Sequence, residues 1–339
     1  MIRHGNLFAQ CFTSDNLYAA FLDARKGKRN KRSCFQFERN LGANLAILHQ
    51  QIHDGSYRPR PYHHFMVYEP KPRLIHAPAF RDVVAQHALY RVVYPLFDRT
   101  FIDQSFACRK GKGTHVCADY TQKALRQYDG DLYTLKLDIR RYFYSIDRDI
   151  LRGLIERKIK DPRLINMMME YAKHGDPLGV PIGNLLSQLF ATIYLSPVDH
   201  FIKRDLKIQH YARYVDDMVL VGLTREACLE AKAKIEAFLA ERLHLSLSRA
   251  TIQKIKKGVN FVGYRTWQGR RFIRKHSLYR YRRAVRKGSL DSIVSHLGHA
   301  VKTQSYPYMI QQLGERHDLY RSLPENHRRR HDLPHRAAA

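Results

Sequence analysis

The chain has no run of about 18 consecutive apolar residues, so no membrane-spanning helix is expected. Its opening stretch, MIRHGNLFAQCFTSDNLYAAFLDARKGKRN, lacks both an uninterrupted apolar core and a small-residue cleavage site, which argues against a secretory signal. Cysteine is scarce. The five residues Cys11, Cys34, Cys108, Cys117 and Cys228 are odd in number and form no C-x-x-C pair. They read as reduced thiols of a cytoplasmic protein rather than a zinc site or disulfide frame. His49 and His53 share one helix face, but no acidic or cysteine partner stands beside them, so they read as surface histidines. A G-x-x-x-x-G-K-[ST] loop is also missing. RKGKGTH (109–115) has the glycines and bases but follows no clear buried strand, which argues against a P-loop NTPase. Acidic residues are few: 31 Asp and Glu against 59 Lys and Arg leave a net charge of +28. A chain this basic attracts polyanions, nucleic acid first among them. An anionic membrane surface calls for a basic amphipathic helix or a lipid anchor, and neither is clear.

What is present fits a globular protein. A length of 339 residues with 44% hydrophobic side chains supports a large core and two or three subdomains. The 21 Tyr and 16 Phe offer stacking faces for bases, although core packing must account for most of them. A helix is expected around 15–25, followed by the basic run RKGKRNKR (25–32), a solvated loop or a phosphate contact. Residues 55–78 read as short strands and turns. Over 81–98, Val83, His87, Tyr90, Tyr94 and Phe97 recur at helical spacing. Further helices are expected over 114–128, 147–173 and 225–242, and in an apolar segment after 184 that Pro197 should kink. DLYTLKLDIRRYF (131–143) alternates as a strand, and two short strands end in VNFVGYRTW (259–267). The basic remainder reads as helical and ends in a frayed tail. No internal repeat is present. Long helices between closely spaced strands indicate an α+β fold with an antiparallel sheet.

The chemistry is suggested by HYARYVDDMVLVG (210–222), where Asp216 and Asp217 sit between two strand-forming runs. A hairpin would place both at its turn. A solvated turn is one account, since Asp is a favoured turn residue. The other involves Asp138, at the end of an apolar strand, where a buried acid is costly unless it meets a cation. Strand ends of one sheet can converge, and three carboxylates in a basic protein are what two divalent cations need.

Six motifs in order, KPRLIHAPAFRDVVAQHALY, SFACRKGKGTH, LKLDIRRYFYSID, GVPIGNLLSQLFATIYL, RYVDD and VNFVGYR, resemble a reverse transcriptase. The resemblance implies a right-hand polymerase fold. Residues 1–108 would form an N-terminal extension and fingers, 109–150 the first part of the palm, and 151–182 further fingers. Residues 183–265 would form the second part of the palm and 266–339 the thumb and tail. It makes Asp138, Asp216 and Asp217 the catalytic and metal-binding acids, with Ile139 in the metal and nucleotide set and two Mg²⁺ ions, or Mn²⁺ in their place, as cofactors. IGNLLSQ is more finely similar to the reverse transcriptases of diversity-generating retroelements, because Ile182 and Gln188 stand where group II intron enzymes usually show glutamine and proline. That branch copies a template RNA, misinserts opposite adenines, supplies mutated cDNA for a target gene and works with a small basic accessory protein. Other bacterial reverse transcriptases (retron, group II intron or phage-defence types) and a catalytically idle RNA-binding scaffold are the alternatives. An RNA-dependent RNA polymerase fits less well with Phe143 and with V-D-D in place of G-D-D.

The resemblance also assigns finer roles, each beside a plainer one. Phe143 matches a steric gate against the ribose 2′-hydroxyl; the plainer role is a core aromatic beside Tyr142 and Tyr144. Arg73, with Lys71 near it, matches the residue that grips the incoming dNTP triphosphate, as a guanidinium can; otherwise it is a solvated loop base. Ile182 and Gly183 should line the nucleotide pocket, where an apolar Ile182 removes a polar check on pairing, unless it merely packs. Gln188 either holds the pocket or template or makes a cap or core hydrogen bond. Arg109, Lys110 and Lys112, with Tyr214, Gly263 and Tyr264 of the hairpins, form the expected contacts to template RNA and the cDNA primer or product duplex.

Overall fold

The structure, a computed structural model, describes residues 2–68, 72–128, 130–314 and 317–328. The expected frayed tail beyond 328 and the expected nucleotide-binding residue Lys71 lie outside the described residues. The chain forms two compact units. The first comprises residues 1–108, 138–207 and 233–249, and the second 109–137, 208–232 and 250–339.

The first unit is mainly helical. The helix Phe80–Asp98 starts and ends within a residue of its expected limits, but its buried residues are not a single stripe. Val84, Ala85, Ala88, Leu89, Val93 and Phe97 are all buried, and the expected face residues Val83, His87 and Tyr90 are only half-buried. The reason is that four helices pack on it, Ser14–Ala24, Leu185–His200, Leu7–Cys11 and Arg32–Arg39, so it is covered on more than one side. Asn16 ties the first of these to it, donating to the Ala88 carbonyl at 2.9 Å. Most of Leu185–His200 is buried. Pro197 lies inside it, and a short π-helix, Phe201–Asp205, follows directly. The proline lacks the N–H that an unbroken helix would use there. The expected helix over 147–173 is two, Arg148–Glu156 and Pro162–Ala172. Asp161 caps the second through the Leu164 N–H, and Pro162 supplies its first turn, where a missing donor costs nothing. Strands β1 (His63–Val67) and β2 (Arg73–Ala77) form an antiparallel pair.

In chain order the remaining strands are β3 (Tyr133–Ile139), β4 (His210–Tyr214), β5 (Asp217–Leu223), β6 (Leu247–Lys254), β7 (Val259–Phe261), β8 (Tyr264–Thr266) and β9 (Arg271–Ile273). The larger sheet has the order β4-β5-β3-β6, and β4–β5 is an antiparallel hairpin. Along β4 and β5 the residues Tyr211, Ala212, Met218, Val219 and Leu220 are buried, and the helix Thr114–Leu125 packs against both strands. Strands β7, β8 and β9 form a smaller antiparallel sheet. The helices Lys275–Lys287, Leu290–Ala300 and Ser305–Gly314 follow it. Mixed helix and antiparallel sheet is the α+β class expected. Among the described residues no helix is long and apolar enough to cross a membrane.

Candidate active site

The β4–β5 hairpin closes with Tyr214 opposite Asp217, which leaves Val215 and Asp216 as a two-residue turn. Val215 has φ 57°, a left-handed conformation that a β-branched residue rarely adopts. The brace for it is Arg213. That side chain is 1% exposed, and its Nη1 donates to the Val215 carbonyl at 3.0 Å. A buried guanidinium therefore holds the strained turn that presents both aspartates. Asp217 is half-buried and carries a cation: Lys136 Nζ stands 2.9 Å from Oδ1 and 3.0 Å from Oδ2. Lys136 belongs to β3, two residues before Asp138, and strand alternation gives the two the same face.

Asp138 is half-buried in the other unit. The Ser248 hydroxyl donates to its carboxylate, and the same oxygen lies 3.1 Å from the Asp138 carbonyl. Ile139 after it is 2% exposed, and the Arg140 N–H donates to the Ser246 carbonyl at 2.9 Å. Among the described residues no group of three or more His, Cys, Asp or Glu is assembled to hold a metal. The physical reason is local: Asp217 is turned onto Lys136 and Asp138 onto Ser248. The donor set still suits a hard cation. It offers carboxylate oxygens, and an ammonium already stands in for positive charge on Asp217.

Of the residues expected around the nucleotide, those of β2 and the IGN turn meet within the first unit. The His76 N–H of β2 donates to the Ile182 carbonyl at 2.7 Å, so the strand that begins at Arg73 pins the IGN turn. Arg73 is exposed, Ile182 half-buried, and Gly183 and Gln188 exposed. Gly183 has φ 105°, and a Cβ there would lie 2.6 Å from the Ile75 side chain. Asn184, which the motif reading missed, is 1% exposed and caps Leu185–His200 by accepting from the Leu186 N–H. Its Nδ2 donates to Tyr62 Oη at 3.0 Å. The cap is thus Asn184 and not Gln188. A second support lies beneath. Tyr57 Oη donates to the buried Asp82 at 2.6 Å and meets Tyr171 Oη at 2.7 Å. Burial raises both of these phenols, and pushes Tyr62 up to about 12, so all three stay protonated donors.

Phe143 is half-exposed in the short helix Tyr142–Ser145. Its ring meets Tyr142 edge-on at 5.7 Å, and its carbonyl accepts from the Val180 N–H at 2.8 Å. Tyr142, by contrast, is buried and donates to the Ala191 carbonyl. The partly exposed ring of the pair is the one expected to act as gate. Gly179 makes the approach close: φ is 85°, and a Cβ would lie 2.9 Å from both the Phe143 carbonyl oxygen and the Tyr144 Cα. Gly179→Ala is therefore expected to destabilise the protein by roughly 2–4 kcal/mol, combining left-handed strain with overpacking against backbone. An unchanged midpoint in denaturant titration would contradict it. A cavity of about 370 Å³ lies beside the IGN turn, bordered by Gly183, Asn184, Gln188, Gln86, His87 and Lys28. Burial, with the charge of Lys28 adding, pushes His87 down to about 4, so its imidazole is neutral there.

Arg109, Lys110 and Lys112 occupy the turn before Thr114–Leu125. Gly111 (φ 72°) and Gly113 (φ 125°) in that turn have open space around them. Tyr214 is half-buried at the end of β4, and Gly263 is half-exposed. Tyr264 corrects an expectation. It is 0% exposed, stacks on His299 with ring centroids 4.3 Å apart, and donates to the His299 carbonyl at 2.8 Å. Its ring fastens β8 to Leu290–Ala300, which leaves Gly263 the more exposed of the two residues. Lys136, Ser248 and Arg213 were missed as well. The one sequence signal was Lys136 standing two residues from Asp138.

The family model for reverse transcriptase (RNA-dependent DNA polymerase) matches residues 69–266. The chain belongs to the reverse transcriptase family. The right-hand polymerase fold and RNA-directed DNA polymerase activity go with that membership. This reverse transcriptase is 25% identical over 297 residues to Protein YkfC of Escherichia coli (strain K12), covering 72% of the chain and 75% of YkfC. It is 28% identical over 165 residues to the group II intron-encoded protein LtrA of Lactococcus lactis subsp. cremoris. That match covers 45% of the chain and only 27% of LtrA. Among solved structures, telomerase from Candida albicans aligns with a TM-score of 0.47 at 12% identity, over 79% of the reverse transcriptase and 60% of that chain.

Proposed function

We propose that the chain copies a template RNA into cDNA by two-metal nucleotidyl transfer, with a primer 3′-hydroxyl attacking the α-phosphate of a dNTP. The observation that carries this is the Asp216–Asp217 turn, held in a strained conformation by buried Arg213, with Asp217 paired to the Lys136 ammonium. In support, β3, which holds Asp138 at its sixth position, is the neighbour of β5, which starts at Asp217. Asp138, Asp216 and Asp217, with Ile139, would hold two Mg²⁺ ions, or Mn²⁺. What the bound metal supplies is charge to activate the hydroxyl and steady the leaving pyrophosphate. Arg73, with Lys71, grips the triphosphate and Phe143 screens the sugar. Arg109, Lys110, Lys112, Tyr214 and the Gly263 backbone hold template and primer through phosphates, which gives affinity without sequence information.

The finer reading is mutagenic copying of the diversity-generating type, in a bacterial or phage-infected cytoplasm, with a small basic accessory protein as partner. Ile182 supports it: the side chain is apolar and half-buried, in a turn pinned by β2. One missing hydrogen bond at a pocket wall is worth about 1–3 kcal/mol, or roughly 5–150-fold in error rate. Frequent errors opposite template adenines and few opposite other bases are expected in cDNA sequenced from a defined RNA at fixed dNTP concentrations. Ile182→Gln or Ile182→Asn should lower the adenine errors, and Arg73→Ala should shift them by loosening the triphosphate. Uniformly low error would remove the mutagenic reading and leave the polymerase. The second reading, a group II intron-type enzyme, is favoured by the match to LtrA and is the one such a result would support.

A further inference from the structure

The Lys136–Asp217 pair has a consequence for metal binding. Its ammonium straddles both carboxylate oxygens, at 2.9 and 3.0 Å, and so stands where an ion ligated by Asp217 would need lone pairs. The two side chains are 23% and 24% exposed. That is buried enough for the pair to outweigh a fully solvated surface bridge, and open enough for exchange with ions from solvent. Asp216 is the neighbouring carboxylate on a two-residue turn, so some positive charge is needed there whenever no metal is bound.

We propose that Lys136 is a built-in counter-ion of the metal site, a positioning residue whose ammonium holds Asp217 in the metal-free enzyme and leaves that carboxylate when a divalent ion is ligated. The proposal rests on the two-metal reading above. It gives Lys136 two opposed effects. Without metal it offsets the repulsion between the adjacent aspartates and keeps the hairpin folded. With metal available it competes for Asp217 and weakens ion binding.

The test is Mn²⁺ binding to the full chain without RNA, primer or dNTP, followed by the electron paramagnetic resonance signal of free Mn²⁺ and paired with thermal melting at zero and saturating Mn²⁺. Lys136→Met is expected to bind Mn²⁺ about tenfold more tightly, or about 1.4 kcal/mol. It should melt lower than the parent without metal and gain more on adding it. Lys136→Gln, which keeps a donor but no charge, should behave like Lys136→Met and serves if the methionine variant does not fold. Lys136→Arg keeps the charge and should stay near the parent. Equal or weaker Mn²⁺ binding in both neutral variants overturns the proposal. Asp217→Asn separates the two layers. If it weakens Mn²⁺ binding while neither neutral variant strengthens it, the lysine proposal alone has failed. If it leaves Mn²⁺ binding untouched, the metal-site reading beneath has failed, and the lysine proposal with it.

Discussion

Asp217→Asn is expected to slow primer extension by at least about 10³-fold, roughly 4 kcal/mol of transition-state stabilisation. The amide is nearly isosteric, so the loss comes from charge. A neutral side chain neither neutralises a divalent ion nor holds Lys136, whose ammonium now spans both oxygens. Asp138→Ala should lose as much. RNA binding should survive in both, because phosphate contacts spread over a chain of net charge +28 dominate it. The measurement is single-turnover extension of a primer on an RNA template, with affinity followed separately by fluorescence anisotropy. Extension near the parental rate in either variant would show that these carboxylates do not carry the chemistry.

Phe143→Ala should admit ribonucleotides, reducing the preference for dNTPs over rNTPs by about 10²-fold, or about 2.7 kcal/mol. The ring is partly exposed while its neighbour Tyr142 is buried, and the Phe143 backbone is pinned through Val180. Deleting the side chain therefore opens space without releasing the main chain. The ratio of kcat/KM for dNTP and rNTP is the readout, and identical ratios in parent and variant would return Phe143 to the role of a packing aromatic. The alanine should cost little stability, since the ring keeps solvent contact, which separates this outcome from that of Gly179→Ala.

Much was legible in the sequence because the signals were short-range. The helix Phe80–Asp98 announced itself by spacing, and RYVDD by two strand-forming runs around a pair of turn formers. Helical period and strand alternation are set by neighbours a few residues apart. Motif order identified the family, since six motifs in sequence constrain one another. Where these expectations missed, a partner distant in the chain was responsible. The helix Phe80–Asp98 is buried on more than one side because four other helices pack on it. Tyr264 turned inward because a histidine 35 residues away receives it.

The sequence by itself determined the α+β class, the family, the hairpin that presents Asp216 and Asp217, the strand that ends near Asp138 and the IGN turn. Only the tertiary structure decided what those acids touch. Lys136 reaches Asp217 across 81 residues of chain and Ser248 reaches Asp138 across 110. The fully buried Arg213 supports a strained Val215 beside exposed-looking polar sequence. Such partners follow from which strands lie next to each other, and β3 lies between β5 and β6 although neither is its neighbour in the chain. Sheet order is chosen by the burial of whole strand faces, a sum over many distant side chains. A local pattern can therefore name a carboxylate and still leave its counter-charge undetermined.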